Sequence, residues 1–103
     1  MNDTPPTGAL AGLKVIEICT TIAGPACARL LADFGADVIK VEPPKGDNTR
    51  RLLGSGAGYF PMYNRNKRSL AVDTTVPAGK AVVDALLADA DVFIENFRPG
   101  AMA

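Results

Sequence analysis

Histidine is missing from the 103 residues of this chain. Its absence removes Ser-His-Asp and Cys-His catalysis, and histidine-bearing zinc sites, from anything the chain does alone. Cysteine is scarce as well. Cys19 and Cys27 are too few for a disulfide scaffold and form no CxxC pair, so reduced thiols are the expectation. Net charge is also lacking: 11 Lys and Arg balance 11 Asp and Glu, so no global field draws the chain toward nucleic acid or an anionic membrane. No apolar run approaches the ~18 residues of a membrane span. Residues 1–8 lack the basic-then-apolar order of a signal peptide. What remains is the expectation of one small cytoplasmic domain, with neither a membrane nor a nucleic-acid partner.

What is present reads as strands alternating with helices. Residues 1–12 form a Pro/Thr/Gly-rich arm expected to be flexible, and residues 13–103 the body of the domain. Leu13 to Cys19 is a β-branched run, and Pro25 suits the first turn of the helix that follows. Cys27, Leu30, Leu31 and Phe34 recur at helical spacing and predict the buried stripe, with Gly35 as a left-handed stop. Asp37 to Glu42 is the next strand, which implies a β–α–β crossover and a parallel pair. A polar loop from Lys45 to about Ser55 and an aromatic turn over Gly58–Tyr63 lead to a third strand at Ser69–Asp73. Val82, Val83, Leu86, Leu87 and Ala90 mark a second helix that enters at Pro77 with a weak cap at Val76. Asp91 to Glu95 is the fourth strand, and Pro99 opens another helical turn. The expected fold class is α/β: a partial, Rossmann-like, doubly wound parallel sheet (β–α–β, loop, β–α–β) that is truncated.

In such sheets ligands bind beyond the carboxyl ends of the strands. Asn64-Arg65-Asn66-Lys67-Arg68-Ser69, with Arg50 and Arg51, is a cation cluster suited to phosphate. Its alternative role is a solvated loop protecting a sheet edge. Asn96-Phe97-Arg98 follows the fourth strand, where an amide, an aromatic ring and a cation can meet a nucleotide. The competing reading makes Phe97 core and Arg98 a surface charge. The helix start at Ala23-Gly24-Pro25 can hold an anion, or can be only a tight turn. Glu42 stands where dinucleotide-binding proteins place their ribose acid, but no Gly-x-Gly-x-x-Gly follows the first strand, so NAD is not expected. Both cysteines read as buried thiols, and no metal site is expected.

These motifs also carry a family likeness. Ala23-Gly24-Pro25, the run Leu31 to Pro44, Tyr59-Phe60, Asn64 to Ser69, Val72-Asp73, Pro77, Gly79 and the run Ala90 to Gly100 together resemble the opening of class III coenzyme A transferases. That family includes formyl-CoA transferase, the carnitine CoA-transferases and the α-methylacyl-CoA racemases. The resemblance covers nearly everything from Leu10 onward. It implies the N-terminal part of a large domain that binds coenzyme A, in an enzyme moving CoA from an acyl-CoA to a carboxylic acid, homodimeric when full length. It implies CoA contacts at Ile22 and Ala23, at Val72, Asp73, Thr74 and Thr75, and at Asn96, Phe97 and Arg98. It also implies a catalytic Asp beyond Ala103, so no catalytic residue is expected here and the chain alone is expected to be inactive. Alternatives are the same part of a CoA-ester racemase, or a non-catalytic CoA-binding remnant. At Thr20, Ile22, Pro43 and Thr75 formyl-CoA transferase carries His, Gln, Arg and Lys, which points away from formyl specificity.

Overall fold

Short β-branched runs closed by turns give the chain its strands. The computed structural model describes residues 8–20 and 22–97. It contains β1 (Lys14–Ile18), β2 (Asp37–Glu42), β3 (Arg68–Ala71) and β4 (Val92–Glu95). They form one four-stranded sheet in the order β3-β2-β1-β4, parallel throughout. This is the order of the first four strands of the doubly wound nucleotide-binding sheet. After three strands laid out to one side, the chain returns to the far side of β1, so the order reverses between β1 and β4. Among the described residues no helix is long and apolar enough to cross a membrane.

Side chains alternate across a strand, and a parallel sheet is covered on both faces. Helix α1 (Ala23–Asp33) covers the face bearing Val15 and Val38; Leu13, Val92 and Ile94 pack into the same cluster. Helix α3 (Pro77–Ala88) covers the opposite face, where Val83 meets Ile16 and Val41, with Ile18, Ile39, Leu86 and Leu87 around them. A short helix α2 (Tyr59–Tyr63) fills the aromatic turn between β2 and β3.

Helix α1 stops as expected. Gly35 has φ 105°, the Gly35 N–H donates to Ala32 O, and the Ala36 N–H donates to Leu31 O. This is the paired carbonyl closure that a left-handed residue allows. Its buried stripe is not the expected one. The sheet is met by Gly24, Pro25, Ala28 and Ala32, with Leu31 alongside, while Cys27 is exposed and Leu30 and Phe34 are 50% and 57% exposed. Small residues win because they let the helix backbone press close to the strands. A Cβ on Gly24 would fall 2.6 Å from Cys19 Sγ. In α3 the expected face holds for Val83, Leu86 and Leu87, with Ala90 joining the cluster just past its end, but Val82 is turned outward at 45% exposure.

One further expectation needs correcting, and one polar loop hides buried residues. Leu10, assigned to an arm with little to bury, packs against the α1-side core, and its N–H donates to Phe34 O. The loop from Lys45 is not wholly solvated. Asp47 and Thr49 are buried, and Asp47 caps a 3-10 turn over Asn48–Arg51 by accepting from the Thr49 N–H. Residues 1–7 of the arm, and the helical turn expected from Pro99, lie outside the described residues.

Candidate coenzyme crevice

At the carboxyl edge, on the α3 side, the strand ends and α3 enclose a crevice of about 590 Å3. Small-molecule sites span roughly 300–1,000 Å3, so this one is large enough to hold part of a nucleotide carrier. Ile18 and Thr20 end β1, Val41 to Pro44 end β2, Val72 to Thr75 follow β3, and Phe93 and Phe97 flank the end of β4. Val83, Leu87, Lys80 and Asp84 of α3 form the opposite wall. Gly79 sets how near that wall stands: a Cβ there would lie 1.8 Å from Asp73 O.

Of the residues expected to contact a ligand, the fold gathers Val72, Asp73, Thr74, Thr75 and Phe97 in this crevice. Phe97 is 39% exposed, an aromatic wall rather than core. Thr75 donates both its N–H and its hydroxyl to Asp73 Oδ1, which lowers the Asp73 pKa and keeps it an anion. Ile22 and Ala23 lie at the start of α1 and do not line the crevice. Asn96 is occupied structurally: its Nδ2 donates to Thr20 O at 2.9 Å and its Oδ1 accepts from the Thr20 N–H at 3.3 Å. That clasp ties β4 to β1 where the strand order reverses. Arg98 lies outside the described residues.

The cation cluster does not reach the crevice. Lys67 is buried beneath α1, 2.6 Å from Glu17 Oε1, and donates to Pro25 O and Asn64 Oδ1. Arg65 and Asn66 hold Asp33 at the end of α1. Arg68 forks onto Asp37 at the amino edge of the sheet, the wrong end for a ligand at the carboxyl tips. Arg50 grips Glu42 through two bonds of 2.8 Å and stacks over Phe60, while Arg51 donates to Asn48 Oδ1 and Lys45 O. Burial alone would raise the Glu42 pKa. Bonds from Arg50, Ser69 and the Asp47 N–H outweigh it and hold the carboxyl at about 2. A carboxylate so fully engaged is a poor ribose acceptor.

The model of CoA-transferase family III matches residues 10–103. The chain belongs to CoA-transferase family III. It is 48% identical over 101 residues to a formyl-CoA:oxalate CoA-transferase of Rhodopseudomonas palustris, which covers 93% of this chain and 24% of that protein. It is 43% identical over 108 residues to an acyl-CoA transferase of Fusarium pseudograminearum, covering 92% and 24% of the two chains. A CAIB/BAIF family protein from Brucella suis superposes with a TM-score of 0.85 at 44% identity, over 93% of this chain and 28% of that one. Rv3272 from Mycobacterium tuberculosis gives 0.87 at 41% identity, over 94% and 27%. The chain thus spans about a quarter of the curated relatives it matches.

In this family III chain, Thr20, Pro43, Pro44, Phe93 and Lys80 also line the crevice and were not among the expected contacts. The first four follow from strand direction, since each sits at a carboxyl tip or points toward one. Lys80 gave no such sign. It lies one turn into a helix and joins the wall only because α3 leans over the sheet. Cys19 contributes no nucleophile: burial, with its bond to Glu17, pushes the thiol up beyond physiological range.

Proposed function

We propose that the crevice holds the coenzyme A portion of an acyl-CoA, and that the chain supplies one wall of the site in an enzyme moving CoA to a carboxylic acid. The observation that carries this reading is the convergence of Thr20, Val72 to Thr75 and Phe97 on one cavity at the carboxyl edge. Family membership supports a CoA thioester as the ligand. The apolar wall of Ile18, Val41, Val72, Val83 and Leu87 suits the pantetheine arm, and the rings of Phe93 and Phe97 suit adenine. Asp73, held ionised, accepts from hydroxyl groups. Asn96 acts by keeping the two strand ends together, and Arg98 adds a cation beyond β4. No nucleophile is assigned among the described residues. Asp33, Asp37 and Asp47 are paired with cations, as is Asp89 with Lys14, and Asp91 accepts from the Lys14 N–H. On this reading the chain alone supplies binding, with no assigned nucleophile.

Calorimetric titration of the chain with CoA tests the reading. Saturable one-to-one binding is expected, weakened roughly tenfold by Phe97→Ala through loss of stacking. No heat with CoA would overturn it.

A further inference from the structure

A ligand carrying phosphates needs a cation near it, and the fold has already spent nearly all of those available. Of 11 Lys and Arg, Arg98 lies outside the described residues. Lys14, Arg29, Lys40, Arg50, Arg65, Lys67 and Arg68 each pair with a carboxylate. Arg51 is bound to Asn48 and to Lys45 O. Among the described residues only Lys45 and Lys80 make no ion pair and no side-chain hydrogen bond, and of these two Lys80 alone lines the crevice.

The surroundings of Lys80 sharpen its role. Three acids share the crevice: Glu42, Asp73 and Asp84. Glu42 is neutralised by Arg50, and Asp73 is bonded within its own turn by Thr75. Asp84 lies four residues after Lys80 on the same helix face, yet no ion pair joins the two. A lysine on a flexible stem, beside an apolar floor and with no partner among the described residues, is a point charge able to swing onto an anion. Without Lys80, the described residues of the crevice would set Asp73 and Asp84 against a phosphate with no free cation beside them. With Lys80 the crevice can accept one.

We infer that Lys80 is the phosphate-recognising residue of the crevice, and that it makes the site select phosphorylated carriers over the bare pantetheine arm. The inference rests on the crevice being the CoA site. The phosphate concerned is either the 3′-phosphate or the diphosphate of CoA, and the choice of ligands separates them.

The test is calorimetry on the 103-residue chain with CoA, 3′-dephospho-CoA and pantetheine. Lys80→Gln should weaken CoA binding roughly tenfold and leave pantetheine unchanged. Lys80→Arg should restore most of the loss, and Asp84→Asn should tighten CoA by removing an opposing charge. Added salt should weaken the parent chain more than Lys80→Gln, since only the parent uses the charge. If Lys80→Gln affects 3′-dephospho-CoA as strongly as CoA, the contact is to the diphosphate; if it affects only CoA, the 3′-phosphate. The position is exposed in α3, so the variant should fold, as circular dichroism will verify. Equal CoA affinity in the parent and Lys80→Gln would sink this inference while leaving the coenzyme reading intact. No CoA binding by the parent would sink both.

Discussion

The two faces of the sheet solve opposite problems with similar residues. On the α1 face, Glu17, Lys40, Lys67 and Asp47 form a neutral chain of buried charges. Glu17 lies 3.3 Å from Lys40 and 2.6 Å from Lys67, and Lys40 lies 3.0 Å from Asp47. Lys40 also donates to Cys19 O at 2.9 Å, and Cys19 Sγ donates back to Glu17. On the α3 face the covered residues are apolar and the charged groups stand at the rim of an open crevice. Burying an ion costs several kcal/mol unless partners surround it. The α1 face meets that cost with mutual pairing, which leaves no cation there for a ligand. The apolar cluster under α3 holds no charge, and the crevice beside it keeps Lys80 and Asp84 without an ion pair among the described residues. Cations frequent in a sequence are thus a poor guide to where an anion will sit.

Breaking the α1 network should have the largest effect. Lys40→Met removes one cation from between two acids whose side chains are at most 1% exposed. Leaving Glu17 and Asp47 short of a partner is expected to cost about 3–5 kcal/mol, measured by urea denaturation. A loss below about 1 kcal/mol would show that the acids find water or protonate easily, and that the network is not a closed unit.

Breaking the α3 face should cost less stability and more binding. Gly79→Ala places a methyl 1.8 Å from Asp73 O, a backbone atom that cannot swing away. Helix α3 must shift from the end of β3, at a cost of about 1–3 kcal/mol. Since Asp73 and Lys80 line the crevice on either side of this contact, CoA binding by calorimetry should fall while the folded far-ultraviolet signal persists. Unchanged affinity would mean that the spacing between helix and strand end does not shape the site.

The same contrast explains what could be read beforehand. The four strands and the helices α1 and α3 were legible, within a residue or two at their ends, because apolar runs, Pro at helix starts and Gly35 are local signals. The 3-10 turn over Asn48–Arg51 lay hidden in a polar loop. Val72 to Thr75 were implied by the family resemblance, and Phe97 also by its place after β4; all of them line the crevice. Pairing was not local. Lys67 and Arg68 precede β3, and only the register reveals that Arg68 lies beside Ile39 near the amino edge. Glu17 and Lys40 had a fainter sign. Each is a charge flanked by apolar residues within its strand, and the parallel register sets them side by side. The face of α1 was ambiguous for another reason. Residues 24, 28 and 32 and residues 27, 30 and 34 both follow helical spacing, and hydrophobicity favours the second set. Close packing against the sheet favours the first.

That choice of helix face has the smallest energetic consequence and the sharpest readout. The chain carries one thiol on each side of the assignment. Cys27 is exposed on the outward face of α1, near Leu30 and Phe34. Cys19 is 2% exposed, faces Gly24, and is held protonated by burial and by Glu17. The thiolate is the reactive form, so a water-soluble disulfide reagent should label one thiol promptly in the native chain, and the second only after denaturation. Peptide mapping should find the first label on Cys27. In Lys40→Met, where the carbonyl of Cys19 loses its lysine, the second thiol should react sooner without denaturant. Two thiols labelled together in the parent, or a protected Cys27, would mean that α1 turns its larger side chains inward after all, and the buried charges beneath it would then need a different roof.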